Sequence, residues 1–329
     1  MDNYKAKTFL EEGFLSPLLS DPGVTDISYN GVDIFYLHNE YGRCKSNIEL
    51  SQNDAKSFLR HISNISEQQF SYTNPILDVS FDKYRLNAVY SNIGRINNDR
   101  GFTFSIRIAS SELKINDHND SIPLKVINIL KEALDKGDSI VIGGRTGTGK
   151  TELQKYLLSS LKPKTRIVVI DNVLELGLNK SFSHLDLNIW QADEKNKYTN
   201  IQSLVKNALR SNPDWLIVAE SRGEEMIDVL NSVMSGHPII TTIHTYDVET
   251  MPSRMSRMVL MNEKKMDYKD VLKDIYMHIP IYIYMEREIV DDKVKRYISK
   301  IMRISENGKR EIIYDLKDDQ TSLDIKATS

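Results

Sequence analysis

Gly143-Gly144-Arg145-Thr146-Gly147-Thr148-Gly149-Lys150-Thr151 is the stretch that decides the fold of this chain. From Gly144 to Thr151 it matches the pattern G-x-x-x-x-G-K-[ST]. Residues 139–142 before it, of which the last three are apolar, predict a buried strand, and residues 152–158 after it predict a helix. Such a turn binds phosphate, because backbone N–H groups and the positive end of the helix dipole both face it. We therefore predict a nucleotide site formed by Gly144, Arg145, Thr146, Gly147, Thr148, Gly149, Lys150 and Thr151.

Two side chains of this loop have predicted roles toward ATP. Lys150 is expected to reach the β- and γ-phosphates, and the Thr151 hydroxyl is expected to hold Mg²⁺. The glycines permit a close approach of the backbone to phosphate that a side chain would block. ATP and Mg²⁺ are therefore the expected cofactors.

The composition is that of a globular protein without a dominant charge. Of the 329 residues, 40% are hydrophobic, and the net charge is −3. A pI near 6.2 does not favour nucleic acid as a partner. The longest apolar runs, such as 279–285, are far shorter than the roughly 20 residues of a membrane-spanning helix, and no secretory signal is recognisable. A single cysteine, Cys44 in a predicted turn, fits a cytoplasmic protein with only indirect membrane association.

A polar, turn-rich stretch over 110–122 indicates a domain boundary. We expect a mixed α/β domain at 1–110, a linker at 111–122, a P-loop domain at 123–316 and a disordered tail at 317–329. The chain is long enough for two domains of ordinary size.

The N-terminal domain is predicted to mix helices and strands. The Asn30-Gly31 turn predicts a hairpin, and Ser51 or Asn53 is expected to cap a helix. The expected helices are 9–19 and 51–65, and the expected strands are 24–29, 34–37, 76–81, 85–90 and 102–108.

After the boundary, strands and helices alternate, which predicts a largely parallel sheet with helices on both faces. Besides the P-loop unit, the expected helices are 123–134, 201–209 and 224–234, and the expected strands are 166–170, 215–219 and 239–243. The last third is expected to add helices over 251–261 and 268–277 and strands over 280–285, 294–304 and 311–316.

Two acids and a histidine follow predicted strands of this sheet. Glu220 ends the strand 215–219, and Glu175 and His244 follow two others. Because the carboxyl ends of parallel strands meet at the edge where the P-loop lies, all three are expected to face the nucleotide. A carboxylate there can order Mg²⁺ or polarise the attacking water, and an imidazole can hydrogen-bond the γ-phosphate. On residue type alone, a surface glutamate or a structural histidine stays the alternative.

Four segments in order resemble the sequence boxes of the traffic ATPases of type II and type IV secretion systems. Residues 144–151 resemble the Walker A box, 170–176 the aspartate box, 218–223 the Walker B box and 235–244 the histidine box. Further likeness brings the coverage to most of residues 14–290. It includes a stretch near Arg257 that is similar to the branch serving conjugation and tight-adherence pili.

The resemblance implies a two-domain α/β fold, with a PAS-like N-terminal domain and a RecA-like P-loop domain that carries a helical and antiparallel C-terminal extension. It implies that Glu220 polarises the lytic water, that Glu175 aids Mg²⁺ and water positioning, and that His244 senses the γ-phosphate. Arg107, near the end of the N-terminal domain, is implied to reach the nucleotide. Thr151, Glu175 and Glu220 are the implied metal ligands.

The implied function is Mg²⁺-dependent ATP hydrolysis by a cytoplasmic ring, a homohexamer, docked on inner-membrane secretion, conjugation or pilus platform proteins. One alternative is a nucleotide-gated scaffold with weak catalysis, because Asp171-Asn172 stands where the family usually has Glu-Asp. A second is a RecA-like nucleic-acid motor, which the acidic pI and the absence of an aromatic and basic tract disfavour.

Overall fold

The computed structural model describes residues 3–110, 113–115, 122–172, 176, 182–194, 196–262, 265–305 and 307–319. The chain divides into two compact units, one of residues 1–110 with 289–295 and one of 111–288 with 296–329. Among the helices in these described ranges, none is both long enough and apolar enough to span a membrane.

The first unit is built around an antiparallel sheet. Its elements are α1 (Asn3–Glu11), α2 (Ser16–Leu19), β1 (Val24–Tyr29), β2 (Asp33–His38), β3 (Gly42–Glu49), α3 (Gln52–Ile65), β4 (Ile76–Phe81), β5 (Tyr84–Val89), β6 (Arg95–Ile96), β7 (Asp99–Arg100) and β8 (Thr103–Ile108). The strand order is β3-β2-β1-β8-β5-β4, and all neighbouring pairs are antiparallel. The predicted cap is present, because the Ser51 side chain accepts the N–H of Asp54 at the start of α3.

Two predictions for this unit are wrong. The single helix expected over 9–19 is two helices, since α1 ends at Glu11 and α2 begins at Ser16. Pro17 supplies the reason, because it has no N–H to continue a helix and is tolerated only in the first turn. Cys44 lies in strand β3 rather than in a turn. This edge strand has polar residues at most positions, so its sequence lacks the apolar alternation that predicts strands.

The second unit is a sheet covered by helices, and its strands and helices mostly alternate along the chain. Its elements are α4 (Leu124–Lys136), β9 (Ile140–Gly144), α5 (Lys150–Ser159), β10 (Arg166–Asp171), β11 (Asp186–Gln191), α6 (Ile201–Ala208), β12 (Trp215–Val218), α7 (Met226–Met234), β13 (Ile239–His244), α8 (Met251–Val259), α9 (Tyr268–His278), β14 (Ile281–Val290), β15 (Lys293–Ile304) and β16 (Arg310–Asp315). The strand order in the described residues is β11-β10-β12-β13-β9-β14-β15-β16. From β11 to β14 each neighbouring pair is parallel.

Alternating side chains of the central strands fill two cores, one on each face of this sheet. Leu216 and Val218 of β12 pack with helices α6 to α9, whereas Trp215 and Ile217 pack with α4 and α5. Because successive strand residues point to opposite faces, a fully apolar strand needs helices on both sides. Strand β11 was not predicted, and none of its side chains is fully buried, as befits a strand at the sheet edge.

Candidate nucleotide site

The P-loop joins the buried strand β9 to helix α5. Gly147 has a φ of +76° and Gly149 a φ of +93°, which are left-handed conformations that glycine adopts without steric cost. The Thr148 hydroxyl donates a 2.9 Å hydrogen bond across the turn to the carbonyl of Arg145. The backbone of this turn is therefore ordered by its own residues.

Lys150, the first residue of α5, is buried beneath the loop. Its amine donates to the carbonyls of Gly144, at 3.1 Å, and Arg145, at 3.0 Å. A lysine amine has only donors, and these two carbonyl oxygens serve as its acceptors. The Lys150 charge is thus already positioned inside the loop.

Strand register brings His244 to the P-loop. In the parallel pairing of β13 with β9, His244 is opposite Gly144, and Met285 of β14 pairs with Gly144 on the other side. As a result, Nδ1 of His244 lies 3.5 Å from Nζ of Lys150.

Hydrogen bonds to β13 fix the turn that carries Glu220. The Thr242 hydroxyl donates to the carbonyl of Ala219 at 2.8 Å, and the Ser221 N–H donates to the carbonyl of Thr242 at 2.9 Å. The hydroxyls of Ser221 and Thr241 are 2.9 Å apart and both side chains are buried. These contacts hold Glu220 at the same edge of the sheet as Lys150.

The Glu220 carboxylate has one satisfied and one unsatisfied oxygen. Arg222 donates from Nη2 to Oε2 at 2.7 Å. Nε2 of His244 lies 3.0 Å from Oε1, but the contact lacks hydrogen-bond geometry. Oε1 is buried and has no hydrogen-bond partner among the described residues. A buried carboxylate oxygen without a donor is costly unless a ligand or water supplies one.

The charges at this edge keep Glu220 ionised and His244 neutral. Burial raises the pKa of Glu220, but the hydrogen bond and charge of Arg222, together with the charges of His244 and Lys150, outweigh it and lower the pKa. Burial and then the charge of Lys150 hold the pKa of His244 below its ordinary value. The charge of His244 contributes only at acidic pH, where the imidazole is protonated. At neutral pH the positive charge that acts on Glu220 comes from Arg222 and Lys150.

The exposed outer turn of the loop is also held by an arginine of β15. Arg296 donates from Nε to the carbonyl of Gly147 at 2.9 Å. At the first position of the turn, the Arg145 guanidinium lies 5.0 Å from the ring centre of Tyr246. Thr146 is exposed, and Thr151 lies in the first turn of α5.

Glu175 and Arg107 are the two remaining predicted site residues. Glu175 lies outside the described residues. Within the same box, Asp171 is buried and accepts the N–H of Leu176 at 3.2 Å, and Oδ1 of Asn172 is buried without a hydrogen-bond partner in the described chain. Arg107 is in strand β8 of the first unit, where its Nε lies 3.3 Å from Oδ1 of Asp26.

The oxygen atoms at this edge suit a hard divalent cation. No cluster of three or more His, Cys, Asp or Glu side chains is arranged for a metal within the described ranges. The Thr151 hydroxyl and the Glu220 carboxylate are hard oxygen ligands. Mg²⁺ commonly uses one or two such protein ligands and completes its shell with phosphate and water. The residues present therefore fit Mg²⁺ bound together with a nucleotide.

Sequence reasoning assigned no role to two arginines of this site. Arg222 is part of the predicted Walker B box, and its spacing of two residues from Glu220 was a usable signal, because both side chains then lie on one side of an extended chain. Arg296 follows no motif and reaches the loop from a strand far along the sequence.

Comparison with known proteins places the chain in a family. The model of the family described as "Type II/IV secretion system protein" matches residues 100–279. An uncharacterized protein of Bacillus anthracis is 28% identical over 319 residues, which are 93% of this chain and 70% of that protein. The type IV secretion system protein VirB11 of Brucella suis is 29% identical over 180 residues, or 53% of this chain and 50% of VirB11.

The match thus spans only about half the length of VirB11. Among solved structures, the ATPase DotB of Legionella pneumophila has a TM-score of 0.65 at 21% identity, with 89% of this chain and 80% of DotB covered. That likeness confirms the predicted two-domain α/β fold class. The chain belongs to the type II/IV secretion system protein family, which confirms the predicted family.

Proposed function

We propose that this protein hydrolyses ATP with Mg²⁺ and that it drives a secretion, conjugation or pilus machine as a ring of identical subunits. The observation that carries the proposal is the meeting of Lys150, His244 and Glu220 beside the P-loop. A cation inside a phosphate loop, with an ionised acid behind it, is what hydrolysis of a phosphoanhydride requires.

Lys150 is the phosphate-binding side chain in this proposal. Its amine bonds to two loop carbonyls, Gly144 and Arg145, and it exchanges them for the β- and γ-phosphate oxygens when ATP binds. A charged hydrogen bond to phosphate is stronger than one to a carbonyl, so the exchange is favourable. The buried position also removes competing water from the lysine.

Glu220 orients and deprotonates the attacking water. Its Oε1 has no donor among the described residues, so it is available to accept a water hydrogen. Arg222 occupies the other oxygen and keeps the carboxylate ionised. The neutral imidazole of His244 lies between Lys150 and Glu220, where it can donate one hydrogen bond toward the γ-phosphate.

Thr151 and Glu220 would hold Mg²⁺, with Glu175 as a further predicted ligand. When bound, the cation supplies positive charge that neutralises the phosphate oxygens during transfer. The role proposed for Arg107 is to reach the nucleotide. A permanent, forked guanidinium suits phosphate.

The cellular setting follows from the family. VirB11 is named as a type IV secretion system protein, and the predicted boxes of this chain occur in the same order as in that family. We propose a cytoplasmic homohexamer that associates with inner-membrane platform proteins, without nucleic acid as a direct ligand. The domain limits proposed for it are 1–110 and 123–316.

Phosphate release by the purified full chain tests the proposal. Lys150→Ala and Glu220→Gln should each reduce turnover at least a hundredfold, while Glu249→Gln, an exposed glutamate, should match the unaltered protein. Glu220→Gln should still bind ATP, because Lys150 and the P-loop, which bind the phosphates in this proposal, are unchanged. Tight ATP binding without phosphate release, unchanged by Glu220→Gln, would instead establish the nucleotide-gated scaffold. Wild-type turnover in Lys150→Ala would exclude the mechanism.

A further inference from the structure

Two arginines on neighbouring strands face the P-loop from the side opposite β13. Strand β14 pairs in parallel with the P-loop strand β9, and β15 is next to β14. Arg287 lies in β14 and Arg296 in β15. Neither belongs to any of the sequence boxes.

Arg296 contacts the outer turn of the P-loop from strand β15. It donates to the Gly147 carbonyl, and a Cβ built on Gly149 would lie 3.4 Å from its Cδ, so its stem covers Gly149 while its Nε binds Gly147. In a planar trans peptide the carbonyl and the next N–H point in opposite directions. With the Gly147 carbonyl turned to Arg296, the N–H of Thr148 points away from Arg296. Arg296 therefore fixes the direction in which the Thr148 N–H, a hydrogen-bond donor of the loop, points.

Arg287 lies at the same turn, and its side chain is exposed. A Cβ built on Gly147 would lie only 2.9 Å from its Nη1, so the guanidinium is in contact range of the loop backbone. Its side chain is exposed and makes no ion pair with an acidic side chain of the described chain. Glu286 and Glu288 are adjacent in sequence, but successive strand residues point to opposite faces.

The two guanidinium groups repel each other. Burial lowers the pKa of Arg296, and the charge of Arg287 lowers it further, against the opposite effect of Glu152. Two like charges at one exposed turn are stabilised when an anion binds between or beside them. The anion expected at this turn is a phosphate held by the P-loop.

We propose that Arg287 is a phosphate-binding residue of the nucleotide site, supplied by the same chain as the P-loop. A guanidinium offers two parallel N–H donors to a phosphate, which gives orientation as well as affinity. Gly147 leaves the space through which Arg287 reaches the loop, and Arg296 holds the loop in place beneath it. The inference rests on the proposed ATPase function and adds a residue to its site.

Equilibrium binding of Mg-ATP, adenosine and inorganic tripolyphosphate to the full chain tests the assignment. Arg287→Ala should weaken Mg-ATP and tripolyphosphate about tenfold, as expected for one lost charged hydrogen bond. Adenosine affinity should not change. Arg287→Lys should recover part of the loss, because it keeps the charge but not the fork. Arg310→Ala, an exposed arginine of β16, is the matched control.

The outcomes separate the two proposals. If the unaltered protein binds ATP and Lys150→Ala does not, but Arg287→Ala binds like Arg310→Ala, the assignment of Arg287 is wrong and the ATPase function stands. A loss confined to adenosine would also overturn the assignment, since it would place Arg287 on the base. If the unaltered protein binds no ATP, the proposed function itself fails, and the role of Arg287 fails with it.

Discussion

Arg222, two positions after Glu220, lowers the pKa of the Glu220 carboxyl and so favours its ionised form. Arg222 donates to Oε2 and opposes the effect of burial on the pKa. The other oxygen, Oε1, is left for a water hydrogen. Charge and geometry at a single residue thus decide both when the base is ionised and which of its oxygens is available.

Removing Arg222 should move the acid limb of the pH–rate profile. In Arg222→Ala, burial is opposed less strongly, so the pKa of Glu220 rises. Activity needs the carboxylate and is lost as pH falls through this pKa, so kcat should begin to fall at a higher pH than in the unaltered enzyme. Steady-state kcat measured across the acid range checks this, with Arg257→Ala on α8 as control. An acid limb that stays in place would rule out Arg222 as the controlling charge.

His244 should titrate below an ordinary histidine, and Lys150 should be part of the reason. Burial and the charge of Lys150 both disfavour the imidazolium. Lys150→Met removes that charge, so the pKa of His244 should rise. NMR titration of histidine-labelled protein gives the value, with the His244 signal identified by its loss in His244→Gln. The other histidines serve as internal references, and an unchanged His244 titration in Lys150→Met would contradict the proximity of these side chains.

Among the elements, strand β13 positions His244 through its register with β9, and its threonines hold the turn that carries Glu220. Its last residue, His244, pairs with Gly144, and the two threonines before Ile243 hold the turn after β12. Parallel strands end at a common edge, so side chains that are far apart in sequence meet there.

The buried Ser221–Thr241 pair offers a test of this arrangement. Thr241→Val leaves the Ser221 hydroxyl without its partner and should cost about 1–3 kcal/mol of unfolding free energy. The double variant Ser221→Ala with Thr241→Val should recover most of this loss, since no polar group is then left unsatisfied. Urea denaturation followed by tryptophan fluorescence measures both. A double variant that loses the sum of the single losses would show that the hydroxyl pair is not the source.

At the scale of the whole molecule, each unit has a core of its own. One cluster of buried residues belongs to the first unit, and two others cover the faces of the second sheet. The chain has two tryptophans, Trp190 and Trp215, and both lie in the second unit. Their fluorescence therefore reports on the unit that carries the P-loop.

Nucleotide should stabilise the tryptophan-reported transition. A ligand that binds only the folded state adds RT ln(1 + [L]/Kd), which is about 2.7 kcal/mol at a hundred times the dissociation constant. Denaturation with and without Mg-ADP at that concentration measures the gain. Lys150→Ala should lose most of it, and Lys164→Ala, at the amino end of β10, should keep it. Equal gains in both variants would mean that the nucleotide does not bind at the P-loop.

Much of the second unit could be predicted because its signals are local. The loop glycines, the apolar strands and the acids that follow them are each read within about ten residues. The edge strands β3 and β11 were missed, whereas the edge strands β4 and β16 were predicted. The split of the helix predicted over 9–19 depended on Pro17, a residue whose local effect outweighs the apolar spacing around it.

The P-loop, the parallel α/β unit and the family could be predicted from the amino-acid sequence, because these depend on short patterns with a fixed chemical meaning. Which charged side chains surround the nucleotide site depends on the tertiary structure. Strand register set His244 beside Lys150, and packing brought Arg287 and Arg296 to the loop from β14 and β15. Electrostatic and hydrogen-bond partners depend on distance in space, and residues far apart in sequence, such as Gly147 and Arg296, come close only in the folded chain.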